Sequence, residues 1–336
     1  MKITYKTSVG LLMLLACSIF SCKKNETSPS PVSPVSLGPT ELNHPSPLYG
    51  KVTTIHTGLA HFGPIAVDEK LNFYYIPYTT GATDTSGIRK VTPAGVTTLL
   101  AGGPLGIPID GTGTTARFGV LDGITLGRDK ILYVTEAHFG DVRKITLQGV
   151  VTSFGPHFYF EDGLGLKLSH DGDLFVGSGP VSNNITVIRP DGTYYNFAGD
   201  SFFGYQDGPA ASAEFLWPRD LAIRHDSTVF VADWGNNVIR KIKNGIVSTY
   251  KTGIAGYSLL FDSDHNLYVG EATKITKISK NGVVSTLAGS STQGSADGIG
   301  SAATFSGPLF LAIDKEKDVL YVADVGNGSI RKVVIK

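Results

Sequence analysis

Residues 283–332 read VVSTLAGSSTQGSADGIGSAATFSGPLFLAIDKEKDVLYVADVGNGSIRK, and this stretch decides the fold because close copies of it occur earlier in the chain. One copy, residues 193–241, reads TYYNFAGDSFFGYQDGPAASAEFLWPRDLAIRHDSTVFVADWGNNVIRK. Another, residues 96–144, reads VTTLLAGGPLGIPIDGTGTTARFGVLDGITLGRDKILYVTEAHFGDVRK. Long repeats of one unit stack into a continuous core, so we expect one repeat domain in the 336-residue chain and not two unrelated domains.

The composition excludes some functions. The 29 basic and 29 acidic residues balance, so we expect no nucleic-acid partner. The 41 glycines, with charged residues at only 17%, are typical of a turn-rich β protein. Both cysteines, Cys17 and Cys22, lie near the N-terminus. The rest of the chain therefore has neither a disulfide nor a cysteine-based metal site.

Residues 1–22 have the features of an export signal. Lys2 and Lys6 precede an apolar run, residues 9–20, which is short for a membrane span. Cys22 follows this run and directly precedes a polar segment. The arrangement resembles a bacterial lipoprotein signal, in which the cysteine is lipidated and becomes the new N-terminus. Cys17 lies inside the run and is interpreted as an ordinary apolar position. The alternative for the whole segment is an uncleaved anchor helix.

The Pro- and Ser-rich residues 23–49 lack the apolar periodicity of a packed core and are predicted to form an extended tether. With Cys22 lipidated, this tether would hold the remaining chain beside a membrane of the cell envelope. Lys23 stands where similar lipoproteins that are retained at the inner membrane have an aspartate. We therefore expect the outer membrane, with the side on which the protein lies left open.

Residues 50–336 are predicted to form an all-β, six-bladed β-propeller with four-stranded antiparallel blades. Each unit has four short runs of alternating apolar residues, which we label strands a to d. Asn-Gly and Asp-Gly pairs, such as 281–282 and 191–192, favour tight turns between strands c and d. Strand b is the clearest and defines six units, at residues 73–75, 132–134, 174–176, 229–231, 267–269 and 320–322. Four-stranded units repeated around a ring are the pattern of a propeller.

The chain ends after strand c of the sixth unit, while residues 50–55 have the pattern of a strand d. We therefore expect this N-terminal strand to pair beside residues 330–334 and to close the last blade. Closure would remove an exposed sheet edge that invites aggregation.

The patterns YVADxGNxxIRK, ADGxGxAAxF and VxTLAG resemble the NHL repeat family. The resemblance covers residues 50–336 and is clearest in the second, fourth and sixth units. It implies a propeller fold. NHL-like propellers include protein-binding and RNA-binding modules and a few lyase and lactonase-like relatives, so the resemblance implies no single activity.

Three connections between strand d and the next strand a carry a long insert. In each, an Asp-Gly pair precedes a phenylalanine with the same spacing: Asp110 to Phe118, Asp207 to Phe215, and Asp297 to Phe305. We expect the phenylalanines to pack between blades, since large aromatic residues are mostly buried. We also expect the inserts to stand above the face that carries the d–a and b–c connections, which we call the loop face.

The loop face offers the candidate binding residues, because aromatic side chains mixed with hydrogen-bonding groups suit recognition. The predicted ligand contacts are Trp234, His138, Phe139, Tyr159, Trp217, Asp233 and Asp324. For Asp233 and Asp324 the alternative is a structural role, in which their carboxylates cap loop amides.

The leading hypothesis is a lipid-anchored binding or scaffold propeller that recognises a protein, peptide or glycan on its loop face, with no cofactor. The alternative is a lyase or lactonase-like enzyme with a divalent metal at the central channel. Its candidate residues are His61, His138, His157, Glu136 and Glu271. No two of these histidines have a tight metal-ligand spacing, and the sequence contains no G-x-S-x-G or H-E-x-x-H motif.

The lipoprotein hypothesis predicts that Cys22→Ser releases the protein from membranes into the soluble fraction, because the lipid acceptor is removed. Fractionation followed by immunoblotting measures this. Continued membrane attachment of the variant, with Cys17 intact, would move the assignment to Cys17.

Overall fold

The computed structural model describes residues 46–59, 62–77, 85–137, 139–155, 157, 165–179, 182–314 and 316–336. These residues all belong to one compact unit, His44–Lys336. The unit is an all-β, six-bladed propeller, as the sequence predicted. His61, His138, Tyr159 and Cys22 lie outside the described residues. None of the helices among the described residues has the length and apolar character needed to cross a membrane.

The strands form six antiparallel sheets, one per blade. Blade 1 has β2 (Phe62–Val67), β3 (Phe73–Pro77), β4 (Thr85–Val91) and β5 (Thr97–Pro104). Blade 2 has β6 (Gly111–Thr112), β7 (Val120–Leu126), β8 (Ile131–Ala137), β9 (Asp141–Thr146) and β10 (Val150–Phe154). Blade 3 has β11 (Gly165–Leu168), β12 (Leu174–Gly177), β13 (Ile185–Ile188) and β14 (Tyr194–Ala198).

Blade 4 has β15 (Gly208–Pro209), β16 (Pro218–Ile223), β17 (Val229–Asp233), β18 (Val238–Lys243) and β19 (Ile246–Thr252). Blade 5 has β20 (Ser258–Phe261), β21 (Leu267–Gly270), β22 (Lys274–Ile278) and β23 (Val284–Gly289). Blade 6 has β24 (Gly298–Ile299), β25 (Pro308–Asp314), β26 (Val319–Asp324), β27 (Ser329–Val334) and β1 (Lys51–His56). Among the described residues the helices are one-turn 3₁₀ segments, Gly113–Thr115, Ala210–Ser212, Trp234–Asn236, Gly300–Ala302 and Val325–Asn327.

The N-terminal strand closes the ring, as predicted. β1 lies antiparallel to β27, with Val52 opposite Val333 and Thr54 opposite Arg331. Val52 is buried and packs in one cluster with Val322 and Val333. The first and last strands of the propeller therefore share one sheet, and β27 has no open edge where they pair.

The inserts take a different course from the predicted one. β6, β15 and β24 each pair with the start of the outermost strand of their own blade. In blades 2 and 4 this start lies beside the c–d turn, and in blade 6 it is the start of β1. At the tip of each insert an N–H donates to a glycine carbonyl at the opposite face: Gly113 to Gly149 (2.9 Å), Ala210 to Gly245 (2.8 Å), and Gly300 to Gly50 (3.0 Å). The expectation that the inserts stand above the loop face is therefore wrong, because they run down the outer edge of the blades.

The phenylalanines that end the inserts pack between blades, as predicted. Phe118, Phe215 and Phe305 are fully buried. Phe118, for example, belongs to a cluster with Ile88 of blade 1 and Val134 of blade 2. Each insert thus has two anchors, a strand at the outer edge and an aromatic plug between neighbouring blades.

A buried arginine on strand c holds each insert to its blade. Arg240 donates from Nη1 to Asp233 Oδ2 (2.9 Å) and from Nη2 to Asp207 Oδ1 (2.6 Å). It also donates to the carbonyl oxygens of Glu214 (2.8 Å) and Gln206 (2.7 Å). We call this arrangement the arginine clamp. The equivalent ion pairs are Arg143 with Glu136 and Asp110, and Arg331 with Asp324 and Asp297.

The inner carboxylates of the clamps are also occupied from the loop side. Asp233 Oδ1 accepts the Leu216 N–H at 2.7 Å, and Asp324 Oδ1 accepts the Ser306 N–H at 2.7 Å. Glu136 Oε2 accepts the Gly119 N–H at 2.9 Å. The side chains of all three acids are buried. Asp233 and Asp324 therefore have the structural role given above as the alternative, in which their carboxylates cap loop amides.

The closing strand generates a stability prediction. A chain that starts at Ala60 lacks β1 and leaves β27 as an open edge, so we expect a loss of several kcal/mol. At about 2–4 °C per kcal/mol for a large domain, the melting temperature should fall by roughly 10 °C or more. Differential scanning calorimetry measures it, and a truncated chain that melts with the intact protein would contradict the closure.

The clamp generates a second prediction. Asp233→Asn leaves the buried Arg240 without its inner charge partner and should cost about 3–5 kcal/mol of unfolding free energy. The matched control is Asp226→Asn, which breaks an exposed pair with Arg224 and should cost under about 1 kcal/mol. Urea unfolding measures both. Equal effects of the two substitutions would show that the clamp does not stabilise the blade.

Candidate functional site

Three aromatic side chains meet on the loop face between blades 4 and 5. Trp217 precedes β16, Trp234 begins the one-turn helix after β17, and Tyr257 precedes β20. The two indole rings are stacked, with centroids 5.3 Å apart and an interplanar angle of 10°. The Tyr257 ring is tilted by 55° to Trp234 at 5.5 Å. The two tryptophans proposed as ligand contacts are thus brought together.

A guanidinium group completes the cluster. The Arg219 Cζ atom lies 4.5 Å from the Trp234 ring centroid and 5.0 Å from that of Tyr257. A cation over an aromatic face at this range is attracted by the ring quadrupole. Trp234 therefore has a guanidinium and a second indole as neighbours, while Trp217 is the member with the larger exposed surface, at 38%.

Trp217 has a left-handed backbone, with φ of 55°. For a bulky residue this conformation costs about 1–3 kcal/mol and persists only where the surroundings impose it. Here the Trp217 N–H donates to Asn183 Oδ1 of blade 3 at 3.0 Å, and its carbonyl accepts the Trp234 N–H at 3.3 Å. The buried Asn183 therefore positions Trp217.

Blade 6 shows what the repeat needs at these positions. Pro218 pairs with Asp233 in blade 4 as Pro308 pairs with Asp324 in blade 6. The residue before the proline is Gly307 in blade 6, where φ is 80° and glycine carries no steric cost. The residue after the aspartate is Val325. A blade with the same clamp therefore forms without either indole.

The remaining predicted contacts do not join this cluster. Phe139 is exposed in blade 2, where its ring lies against Gly119. Asp233 lies beneath the cluster and Asp324 in blade 6, both inside clamps. His138 and Tyr159 are outside the described residues. Of the predicted contacts that are described, the structure thus brings only Trp217 and Trp234 together, on blade 4.

The residues of the enzyme alternative do not converge where they are described. Glu136 is inside the blade 2 clamp, where burial raises the pKa of its carboxyl. The exposed His157 Nδ1 lies 2.5 Å from Asp141 Oδ1, and Glu271 accepts a hydrogen bond from Thr276. His61 is outside the described residues. Within the described ranges no three His, Cys, Asp or Glu side chains are placed to hold a metal ion.

A cavity of about 810 Å³ opens at the other face, which carries the a–b turns. One half-buried apolar residue per blade surrounds it, at the same position of strand a: Val67, Leu126, Leu168, Ile223, Phe261 and Ile313. This cavity is therefore separate from the aromatic cluster. It lies at the face opposite to the loop face, on which the ligand contacts are predicted.

Sequence reasoning missed Arg219 and Asn183. Neither residue belongs to a repeated motif. The contact of Asn183 with Trp217 crosses from blade 3 to blade 4, and the contact of Arg219 with Trp234 joins strand a to the turn after strand b within blade 4. The sequence did contain one signal for the site. Blades 4 and 6 share similar motifs, and blade 4 has tryptophans where blade 6 has a glycine and a valine.

Among known sequences the likeness is remote. No protein-family model matches the chain. The Protein SUPPRESSOR OF QUENCHING 1, chloroplastic, of Arabidopsis thaliana is 25% identical over 172 residues, which cover 44% of this chain and 16% of that protein. The chain thus spans only a small part of the curated relative that it matches.

Among solved structures the likeness is one of fold. Virginiamycin B lyase from Staphylococcus aureus has a TM-score of 0.56 at 16% identity, covering 85% of this chain and 99% of that one. A protein provisionally assigned as a gluconolactonase has a TM-score of 0.58 at 12% identity, covering 84% and 91%. An auxiliary nutrient binding protein from Bacteroides thetaiotaomicron, at a TM-score of 0.48 and 17% identity over 84% and 60%, is too distant to support an argument. The chain is therefore similar to a lyase and a gluconolactonase in its six-bladed propeller fold.

Proposed function

We propose that this protein is a binding propeller and not an enzyme, and that its ligand, a protein, peptide or glycan, docks on the loop face of blade 4. The observation that carries the proposal is Trp217. A large indole occupies a left-handed position, although the matched position of blade 6 has a glycine. Backbone strain of this kind is concentrated at functional sites, where the strained residue contributes to binding or catalysis.

The cluster has the properties of a recognition surface. Trp217 and Trp234 are large and have few rotatable bonds, so they contribute contact area at a small cost in conformational entropy. Arg219 and Asn183 fix their positions before any ligand arrives. A pre-organised surface loses less freedom on binding than a flexible one and therefore binds more tightly.

The proposal extends to location. The signal-like residues 1–22 and the Pro- and Ser-rich residues 23–49 support a lipid anchor at Cys22 and a tether to the propeller. The protein would then present blade 4 to ligands in the cell envelope. The similarity in fold to the lyase and to the protein provisionally assigned as a gluconolactonase is compatible with either class, and we favour binding because Trp217 and Trp234 form a pre-organised aromatic surface on blade 4.

The test is Trp217→Gly, the residue that blade 6 has at this position. Relief of backbone strain and loss of ring stacking, about 0.5–1.5 kcal/mol, should largely cancel, so the melting temperature should stay within a few degrees. Ligand affinity should fall at least tenfold. The chain has only two tryptophans, so titration of peptide and oligosaccharide panels against intrinsic fluorescence reports directly on the cluster.

Trp234→Val, again the blade 6 residue, is the companion variant and should weaken the same ligands. Metal analysis of the purified protein provides the control for the enzyme alternative. A Trp217→Gly protein that binds at full affinity would place the site elsewhere. A large loss of stability in that variant would show that the indole is part of the core.

A further inference from the structure

The insert of blade 4 has a counterpart of equal length in blade 6. Residues 198–208 read AGDSFFGYQDG, and residues 288–298 read AGSSTQGSADG. The backbone is held in the same way in both. The Gly204 N–H donates to the Phe215 carbonyl at 3.0 Å, and the Gly294 N–H to the Phe305 carbonyl at 3.1 Å. The two loops are therefore one scaffold with different side chains.

The blade 4 loop has aromatic side chains where the blade 6 loop has polar ones. Phe202, Phe203 and Tyr205 of blade 4 are 70%, 75% and 53% exposed. The matched residues of blade 6 are Thr292, Gln293 and Ser295. Since the polar set supports the same loop, folding does not require the aromatic set. Exposed apolar side chains that gather in one place mark an interaction site.

The loop adjoins the tryptophans. Asn236, which ends the one-turn helix begun by Trp234, donates from Nδ2 to the Gly204 carbonyl at 2.7 Å. The Gly235 N–H donates at 2.8 Å to the carbonyl oxygen of Leu216, the residue that precedes Trp217. We define the blade 4 aromatic surface as Phe202, Phe203, Tyr205, Trp217 and Trp234.

The polar groups beneath this surface are already engaged. The Asn236 side-chain amide donates to the Gly204 carbonyl and to the Asp233 carboxylate. The Asp233 carboxylate also accepts a hydrogen bond from the Arg240 guanidinium. Asp207 is bound by Arg240 and by the Thr249 N–H. A sugar brings many hydroxyl groups, and burying them without partners is costly. The surface therefore suits an apolar partner better than a glycan.

Besides the Arg219 guanidinium, which lies against Trp234 and Tyr257, one carboxylate interrupts the apolar character of the surface. Glu214 Oε2 lies beside Gly204, so close that a methyl group there would be 1.9 Å from it. Among the described residues Glu214 forms no ion pair. Its counterpart in blade 6 is Thr304, whose hydroxyl accepts the Ala296 N–H. Blade 4 thus has a negative charge, next to Phe203, that blade 6 lacks. Charge complementarity points to a basic group on the partner.

We propose that the blade 4 aromatic surface binds a polypeptide segment in which apolar side chains flank a lysine or arginine. This rests on the proposed function and gives the partner its chemistry. The apolar side chains pack against Phe202, Phe203 and the exposed indole. The basic side chain reaches Glu214. Aromatic residues at the centre of such a surface supply most of the binding energy of a protein interface.

The experiment uses the full chain and three sets of probes. One is an array of synthetic peptides with apolar–Lys–apolar and apolar–Arg–apolar sequences. The second is the same array with glutamate in place of the basic residue, and the third is a panel of neutral oligosaccharides. The affinity of the protein for each probe is measured with the probe immobilised on a surface, and in solution by the change in fluorescence of the two tryptophans. The variants take the blade 6 residues: Phe202→Thr with Phe203→Gln, Glu214→Thr, and Trp217→Gly.

We expect the wild type to bind basic–apolar peptides and to reject the glutamate set. Phe202→Thr with Phe203→Gln should lose at least tenfold in affinity with an unchanged melting temperature. Glu214→Thr should lose the discrimination between lysine and glutamate peptides. Absence of binding to every peptide, or binding to oligosaccharides alone, would overturn the polypeptide partner.

The variants also separate this inference from the proposed function. If Trp217→Gly loses a peptide that Phe202→Thr with Phe203→Gln still binds fully, the site remains on the tryptophans and the extended surface is wrong. If neither variant changes the affinity of a bound peptide, both proposals fail. The loops have matched backbones, so misfolding of the variants is not expected, and calorimetry checks it.

Discussion

The buried ion pair between an arginine on strand c and a carboxylate at the end of strand b is the constraint on which the long blades depend. A guanidinium without solvent must have its charge and its N–H groups satisfied inside the protein. Arg143, Arg240 and Arg331 each have two carboxylates as charge partners. Arg240 also donates from Nε to Asp207, whereas the buried Nε atoms of Arg143 and Arg331 have no hydrogen-bond partner among the described residues. One carboxylate comes from the same sheet and the other from the insert, so the clamp fixes the insert against its blade.

The electrostatics of the outer aspartates follow from the same geometry. Burial opposes the ionisation of Asp207, but the Thr249 N–H and the Arg240 guanidinium outweigh it and lower the pKa of the carboxyl. The pKa values of Asp110 and Asp297 are lowered in the same sense. A lowered pKa contributes stability that is present above the ordinary value near 3.8 and is lost as the pH falls through the folded value. The outer ion pairs of the three clamps should therefore weaken together in acid.

The sequence predicted most of the fold because the repeat makes each strand visible several times. The closing strand follows from the repeat pattern, and the burial of Phe118, Phe215 and Phe305 follows from the usual burial of large aromatic residues. The course of the inserts was predicted wrongly, since the pairing of Asp207 with Arg240 joins residues far apart in sequence and no local pattern shows it. The stacking of Trp217 on Trp234 was likewise invisible, although both residues were candidates. Their meeting depends on the backbone before β16, which Asn183 of another blade holds.

Blade 4 thus combines a clamp that it shares with blade 6 and an aromatic surface that it does not. We infer that these two sets of residues contribute independently to stability, although Leu216, whose N–H donates to Asp233, directly precedes Trp217. A double-mutant cycle in urea between Asp233→Asn and Trp217→Gly measures the coupling between them. Independence predicts that the two changes in unfolding free energy add to within about 0.5 kcal/mol. A coupling energy above about 1 kcal/mol would contradict it and make the indole part of the clamp.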